Sequence, residues 1–288
     1  MKINVIEINR YAPLPYVFSE AARFLRDSIR LAGFASDHLV HCAEPGVLSI
    51  VLGGQPDETL LHGIPADELI VFNFEQLGSN SALVTPRYLD WLKAHVVFDY
   101  HASNIAHLVA QGANPQRCHE MPIQPVAGHF NPAWHAIGKT CDVSFCGSMS
   151  PRRKAIVEQL QAHGLTVELP RAAYGDSLVP ALLRARLILN IHYYETRLFS
   201  VLRVARPVLL GLPVVSETSE HSPLSDWSQS GVVFADYDHL VATCLDVLAF
   251  PQRQQDSIAH SWRFVQQLPF AAAFTRALQP WLSTAATG

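Results

Sequence analysis

No two of the five cysteines (Cys42, Cys118, Cys141, Cys146, Cys244) form a Cys-x-x-Cys pair, and their number is odd. That spacing argues against a disulfide framework or a cysteine-based zinc site, and reduced, mostly buried thiols are expected. The 14 histidines include no pair at helical i, i+4 spacing with a helper glutamate, so scattered, hydrogen-bonded histidines are expected and no metal ligands. Charge is sparse: 16% of residues are charged against 49% hydrophobic, a composition that builds a core rather than a disordered chain. Long apolar runs are missing, so no segment is expected to span a bilayer. The start, MKINVIEINRYAP, has one Lys and an early Glu in place of the basic-then-apolar order of a secretory leader, which points to a cytoplasmic protein. Gly-x-Gly-x-x-Gly, a Walker loop, Gly-x-Ser-x-Gly and His-Glu-x-x-His are all absent, which removes the common dinucleotide, P-loop, serine-hydrolase and zincin signatures.

What is present is length and alternation. The 288 residues suffice for one large or two medium domains. The net charge of −4 argues against a general nucleic-acid binder. Its distribution is uneven. Residues 1–130 carry 8 basic and 13 acidic groups, and residues 131–288 carry 13 and 12. An anion is better received in the second half.

Strand-like and helix-like segments alternate. Strands are expected at 2–9, 38–42, 48–54, 68–75, 95–100 and 118–123, with helices at 18–32 (capped near Ser19, stopped by Gly33), 86–94 and 104–111. Residues 124–139, rich in Pro, Gly and small polar residues, read as a linker. The pattern restarts with strands at 142–148, 166–169, 187–192, 213–217 and 231–235, helices at 151–163, 177–186 and 238–249, and one or two closing helices. Such alternation builds parallel sheets flanked by helices. The expected fold is α/β, with two Rossmann-like domains, 1–125 and 140–288, facing a cleft.

Four constellations could carry chemistry. In Phe145–Lys154 a strand runs into Gly147-Ser148, and Pro151 opens a helix followed by Arg152, Arg153 and Lys154. Backbone N–H groups and the helix dipole at that end attract phosphate, and positive charge there opposes the dipole and so needs a reason. The stretch 187–217 sets Asn190, His192 and Glu195 after one strand and Ser216 and Glu217 at the end of another, with Phe199, Arg203 and Arg206 at helical spacing between them. Pro207 argues against a continuous helix there. In the first half, Glu75, Asp99 and His101 follow apolar strands and are candidate general bases toward an acceptor hydroxyl; capping by Asp99 or Ser103 is the plainer alternative. Asp236-Tyr237-Asp238 has a metal-binding spelling, but it opens a helix and reads as an N-cap.

With these residues in view, the chain resembles bacterial glycosyltransferases of the GT-B fold. It is similar to those carrying Asn-Ile-His-Tyr-Tyr-Glu (here 190–195), Val-Val-Ser-Glu (214–217), Asn-x-Glu-Gln-Leu (73–77) and Asp-Tyr-x-x-x-Asn (99–104). The resemblance implies sugar transfer from a nucleotide-sugar donor, a co-substrate, with no separate cofactor. It places the donor on Gly147, Ser148, Arg152, Arg153, Asn190, His192, Arg203, Ser216 and Glu217, and catalysis on Glu195 and on a first-half base. Retaining members carry Glu-x7-Glu, and here the second position is Arg203. The expected activity is therefore a metal-independent, hexosyltransferase-like transfer resting on arginines and backbone amides. The alternative is a catalytically silent nucleotide-sugar-binding partner subunit. The acceptor and the oligomeric state are left open by these residues.

Overall fold

In the computed structural model, residues 1–8, 18–56, 58–126, 137–170 and 173–285 are described. The middle of the expected linker, 127–136, lies outside them, as does the end of the first expected strand. The chain divides into two compact units: one is Met1–Gln124 with Ser222–Ser225 and Leu268–Gly288, the other Pro125–His221 with Asp226–Gln267.

The first unit holds a six-stranded parallel sheet in the order β2-β1-β3-β4-β5-β6. Its strands are β1 (Ile3–Glu7), β2 (His38–Val40), β3 (Leu48–Leu52), β4 (Leu69–Asn73), β5 (Val96–Asp99) and β6 (Cys118–Glu120). Every residue of β1, β3 and β4 is buried, as expected of parallel strands covered on both faces. Helix α1 (Ser19–Leu31) buries Ala21, Ala22, Leu25 and Ile29. Ser19 does not cap it; its hydroxyl donates to Glu7 Oε2 at 2.5 Å. Helix α2 (Pro86–Ala94) starts on Thr85, whose side chain accepts from Tyr88 N. Helix α3 (Ala102–Ala110) is capped by His101, whose Nδ1 accepts from Ser103 N, and not by Asp99 or Ser103.

The second unit holds a five-stranded parallel sheet, β11-β10-β9-β7-β8. Its strands are β7 (Cys141–Phe145), β8 (Val167–Glu168), β9 (Ala185–Asn190), β10 (Val214–Glu217) and β11 (Val233–Ala235), and its helices α4 (Pro151–Ala162), α5 (Val179–Arg184), α6 (Val201–Leu209), α7 (Leu240–Ala249) and α8 (Pro251–Gln266). Helix α6 runs through Pro207, contrary to expectation. Pro207 stands two residues from its end, and the buried face of Val201, Val204, Ala205 and Val208 outweighs the lost amide. Phe199 precedes the helix, so Phe199, Arg203 and Arg206 do not share a helical face; Arg206 is buried against Asp176 Oδ1 at 3.1 Å.

The last two helices, α9 (Phe270–Ala277) and α10 (Gln279–Ala285), belong to the first unit rather than to the second as the sequence implied. Phe274 packs on Phe34 and Phe98, and Trp281 Nε1 donates to Asp67 O at 2.7 Å. All five cysteines are free, but only Cys244 is buried. Among the described residues no helix is long and apolar enough to cross a membrane.

Both strand orders reverse direction once. In the first unit the reversal falls between β1 and β3, in the second between β7 and β9. Helices on either side diverge at such a point and leave a crevice beyond the carboxyl ends of the strands, where ligands bind.

Candidate functional site

At the β7/β9 reversal the chain leaves Phe145 and turns through Cys146-Gly147-Ser148 into α4, capped by Ser150 with Pro151 at its first turn. Gly147 has φ +137°, and a Cβ there would lie 3.1 Å from Cζ of Arg203. Glycine is needed for the backbone and for the guanidinium lying against it. Exposed Gly147 and Ser148 leave their backbone beside the amino end of a 12-residue helix, an arrangement suited to an anion.

Arg152 and Arg153 divide the work, because adjacent helical residues point about 100° apart. Arg153 shares the buried face of Ile156, Val157 and Leu160 and is 0% exposed. Its Nε and Nη2 donate to Ile191 O at 3.1 and 2.5 Å, and its Nη1 to Ser148 O at 2.7 Å. The rings of Phe145 and Tyr193 lie 5.3 and 5.1 Å from its Cζ. Burial, then the neighbouring Arg203 and Arg152, lower its pKa to about 9, so it is still a cation at neutral pH. Its donors are directed to main-chain carbonyls, and it ties the β7 turn to the end of β9.

Arg152 is half-buried and bidentate on Glu217, Nη1 to Oε2 at 2.8 Å and Nη2 to Oε1 at 2.6 Å. Its guanidinium sits 4.3 Å from the Tyr237 ring centre, and the Tyr237 hydroxyl donates to Arg152 O at 2.6 Å. Burial opposes ionisation of Glu217, but the bonds from Arg152 and from His192 N–H (3.0 Å) more than reverse it and hold the carboxylate below the usual range. His192 is pushed down to about 4, chiefly by burial, so its ring is neutral at pH 7; Nε2 lies 2.9 Å from Ser219 Oγ. Asn190 and Ser216 pair across β9 and β10, with Nδ2 donating to Oγ at 3.0 Å. Asn190 Oδ1 is buried without a hydrogen-bond partner among the described residues.

The structure thus gathers Gly147, Ser148, Arg152, Arg153, His192, Arg203 and Glu217. Beneath them sit Asn190 and Ser216; Glu195 is exposed in the turn after β9. Beside Gly147 lies a cavity of about 540 Å³ whose lining includes Ser148, Met149, Lys154, Leu169 and Tyr174. Tyr174 is not singled out by the sequence, and Tyr193 and Tyr237 enter it only inside longer motifs, with no role of their own. Periodicity gave a usable signal for Arg153, since 153, 156, 157 and 160 form one helical stripe. Asp236 occupies an N-cap position ahead of the short helix Tyr237–His239, but its side chain makes no capping bond.

At the β1/β3 reversal of the first unit, the chain leaves β3 through Gly53 and Gly54. Gly53 has φ +75°, and a Cβ there would meet Ile8 O at 2.3 Å and the Phe18 ring at 2.7 Å. A cavity of about 230 Å³ opens here, lined by Phe18, Gln55, Phe72, Phe74, Glu75 and Tyr88 among others. Burial raises the pKa of Glu75, against a hydrogen bond from Ser81. Asp99 is 1% exposed and accepts from Asn73 Nδ2 (2.6 Å), Asn104 Nδ2 (2.9 Å) and His101 N (2.9 Å). Burial still raises it to about 7. Of the three candidate bases, Glu75 borders the cavity, whereas Asp99 is enclosed by amides and His101 caps α3.

No family model matches the chain. Among curated proteins, uncharacterized protein L140 of Acanthamoeba polyphaga mimivirus is 29% identical over 68% of this chain. Uncharacterized protein L138 of the same virus is 35% identical over 38%, and L137 is 25% identical over 73%. The chain spans 66%, 13% and 30% of their respective lengths. These viral relatives give no support to the bacterial source that the resemblance implied. Among solved structures, AviGT4, a glycosyltransferase involved in avilamycin A biosynthesis, matches with TM-score 0.62 and 15% identity, over 99% of this chain and 98% of that one. WaaG, a glycosyltransferase involved in lipopolysaccharide biosynthesis, matches with TM-score 0.61 and 9% identity, over 96% and 99%. Anabaena Alr3699/HepE in complex with UDP and glucose matches with TM-score 0.60 and 10% identity, over 99% and 100%. The chain has the α/β, two-sheet GT-B fold of these enzymes.

Proposed function

We propose that this chain is a glycosyltransferase whose second unit binds the diphosphate of a nucleotide-sugar donor at the β7/β9 reversal, without a metal ion. The convergence of the Gly147-Ser148 turn, the amino end of α4 and three arginines on one strand reversal carries this reading. Charge favours the ligand class: Arg152 is held on Glu217, Arg153 is turned to main-chain carbonyls, and the guanidinium of Arg203 lies against Gly147, a cationic turn that suits a diphosphate. Arg203 stands where a retaining enzyme's second carboxylate would be, which adds positive charge where the leaving group forms. The neighbouring cavity of about 540 Å³, with Tyr174 and Met149 on its wall, suits a nucleobase.

In the reaction, the bond between the anomeric carbon and the phosphate oxygen breaks and its electron pair stays on the diphosphate. The acceptor hydroxyl oxygen bonds to that carbon and its proton passes to a carboxylate, for which Glu75 is the candidate beside a cavity. Arginines and main-chain amides stabilise the departing charge.

The test is titration of the full chain with UDP and other nucleoside diphosphates, followed by thermal midpoint, since a ligand that binds the folded state raises it by mass action. A rise for at least one nucleotide, unaffected by EDTA, is expected; no rise for any overturns the reading. Turnover of the matching nucleotide sugar then separates the enzyme from a silent binding subunit.

A further inference from the structure

The cavity at the β1/β3 reversal of the first unit has a composition of its own. Phe18, Phe72, Phe74 and Tyr88 supply its rings, and Phe74 is nearly parallel to Phe72, with centroids 4.6 Å apart and an 8° angle. Among the described residues its polar edge holds the Glu75 carboxyl, the Gln55 amide and the main chain of Gly53 and Gly54. Among the described residues no lysine or arginine lines it. Neighbours leave no room for side chains at the two glycines: a Cβ would strike Ile8 O and the Phe18 ring at 53, and crowd Leu61 and Val51 at 54.

We infer that this cavity binds one pyranose ring of a carbohydrate acceptor, with an apolar face on its aromatic wall, where Phe74 stacks with both Phe72 and Phe18, and hydroxyls on Glu75 and Gln55. The inference rests on the glycosyltransferase reading and names the acceptor class that the reading leaves open. Three observations support it. At about 230 Å³ the cavity is smaller than the roughly 300–1,000 Å³ of sites for drug-sized ligands, so it admits one ring. A pyranose has a C–H face of positive polarity that complements the negative face of an aromatic ring, and its hydroxyl rim needs polar partners on one side only. A lipid chain would strip water from Glu75 and Gln55 and offer no polar group in return, at a cost.

Glu75 would serve twice here. Its carboxylate accepts from a ring hydroxyl, and burial, which raises its pKa, makes it a stronger proton acceptor toward that hydroxyl than an exposed carboxylate.

The experiment is saturation-transfer NMR on the full chain with the methyl pyranosides of glucose, galactose and mannose, and with tetramethylammonium and 1-hexanol as rival probes. Saturation of ring protons in at least one pyranoside is expected, falling at least fivefold in Phe74→Leu and in Glu75→Gln. The second variant is isosteric and half-buried, so it keeps the test open should the first fail to fold. Saturation of only tetramethylammonium or hexanol, no saturation at all, or pyranoside signals unchanged in both variants would overturn the inference. UDP in the same samples reports the second unit separately. If UDP binds and pyranosides do not, this inference alone fails; if UDP itself does not bind, the glycosyltransferase reading fails.

Discussion

The two units use one topology for opposite chemistry. Each sheet is parallel and reverses its strand order once, and each reversal opens on a glycine held at positive φ, Gly53 in the first unit and Gly147 in the second. What surrounds those glycines differs. Gly53 is crowded by a phenyl ring and a carbonyl, Gly147 by a guanidinium. The first crevice is aromatic with a reluctant carboxylate. The second is cationic, with Glu217 already committed to Arg152. Backbone topology therefore determines where a site forms, and the side chains at a few strand ends determine which ligand enters it.

The most severe way to break this comparison is to remove Arg153, the buried post under the cationic site. Arg153→Met keeps the stem and leaves Ile191 O and Ser148 O without their donor. Ile191 is buried, and an unsatisfied buried acceptor costs roughly 1–3 kcal/mol, while exposed Ser148 O can turn to water, so a loss of about 2 kcal/mol is expected in urea unfolding of the nucleotide-free chain. Unchanged stability with weakened UDP binding would show instead that Arg153 contacts the ligand.

The titrating groups sharpen the contrast next. Asp99 keeps its proton up to about 7 when folded and releases it near 3.8 when unfolded. Between those values the folded state binds more protons, so the contribution of Asp99 falls as pH rises, by at most about 1.4 kcal/mol per unit. His192 behaves oppositely: the unfolded ring takes a proton near 6.5 that the folded one refuses until about 4. Its contribution is full above pH 6.5 and is lost as pH falls toward 4. Urea unfolding at pH 4.5, 5.5 and 6.5 measures both. The stability difference between the parent and Asp99→Asn should shrink with rising pH, and that between the parent and His192→Asn should grow. Slopes of the same sign would remove the distinction.

Most of this architecture was legible in the chain, because buried parallel strands are continuous apolar runs and the helices between them carry apolar stripes. The alternation therefore gave both sheets. The ownership of α9 and α10 was not legible, since Phe274 finds Phe34 and Phe98 only through packing distant in sequence. The helix through Pro207 was misread for a related reason: a local rule about proline lost to a buried face. At the site, Gly147 and Ser148, the arginines and Glu217 were visible as types at strand ends. Their division into buried post and exposed contact was not, because charge alone does not say which of two adjacent arginines points inward. Asp99 drew attention as a base for the same reason; its neighbours Asn73 and Asn104 enclose it, and they meet it only in the fold.

A smaller effect tests the glycine at the cationic turn. In Gly147→Ala the Cβ would sit 3.1 Å from Arg203 at φ +137°. Backbone strain of this kind costs of order 1–3 kcal/mol, and here the guanidinium must also shift. UDP affinity measured by calorimetry is expected to drop about tenfold, with pyranoside binding in the first unit unchanged. Equal losses at both sites would mean general unfolding and not a local cradle.

Lys154 gives the smallest effect and separates binding from stability most cleanly. Its side chain is 66% exposed and pairs at 3.4 Å with Glu158, one turn along α4; such exposed pairs contribute about 0.3–0.5 kcal/mol. Lys154→Ala should therefore unfold in urea almost where the parent does. Yet Lys154 lines the cavity beside Gly147, close to the helix end where a phosphate would lie. Removing one cation there should weaken UDP binding two- to fivefold, and raising the salt should narrow the gap between variant and parent, because an exposed charge is screened. A salt-independent loss would mean that Lys154 shapes the cavity wall rather than attracting the anion. No loss at all would put the diphosphate on Arg152, Arg203 and the turn alone, and the cationic contrast with the first unit would then rest on those two guanidinium groups.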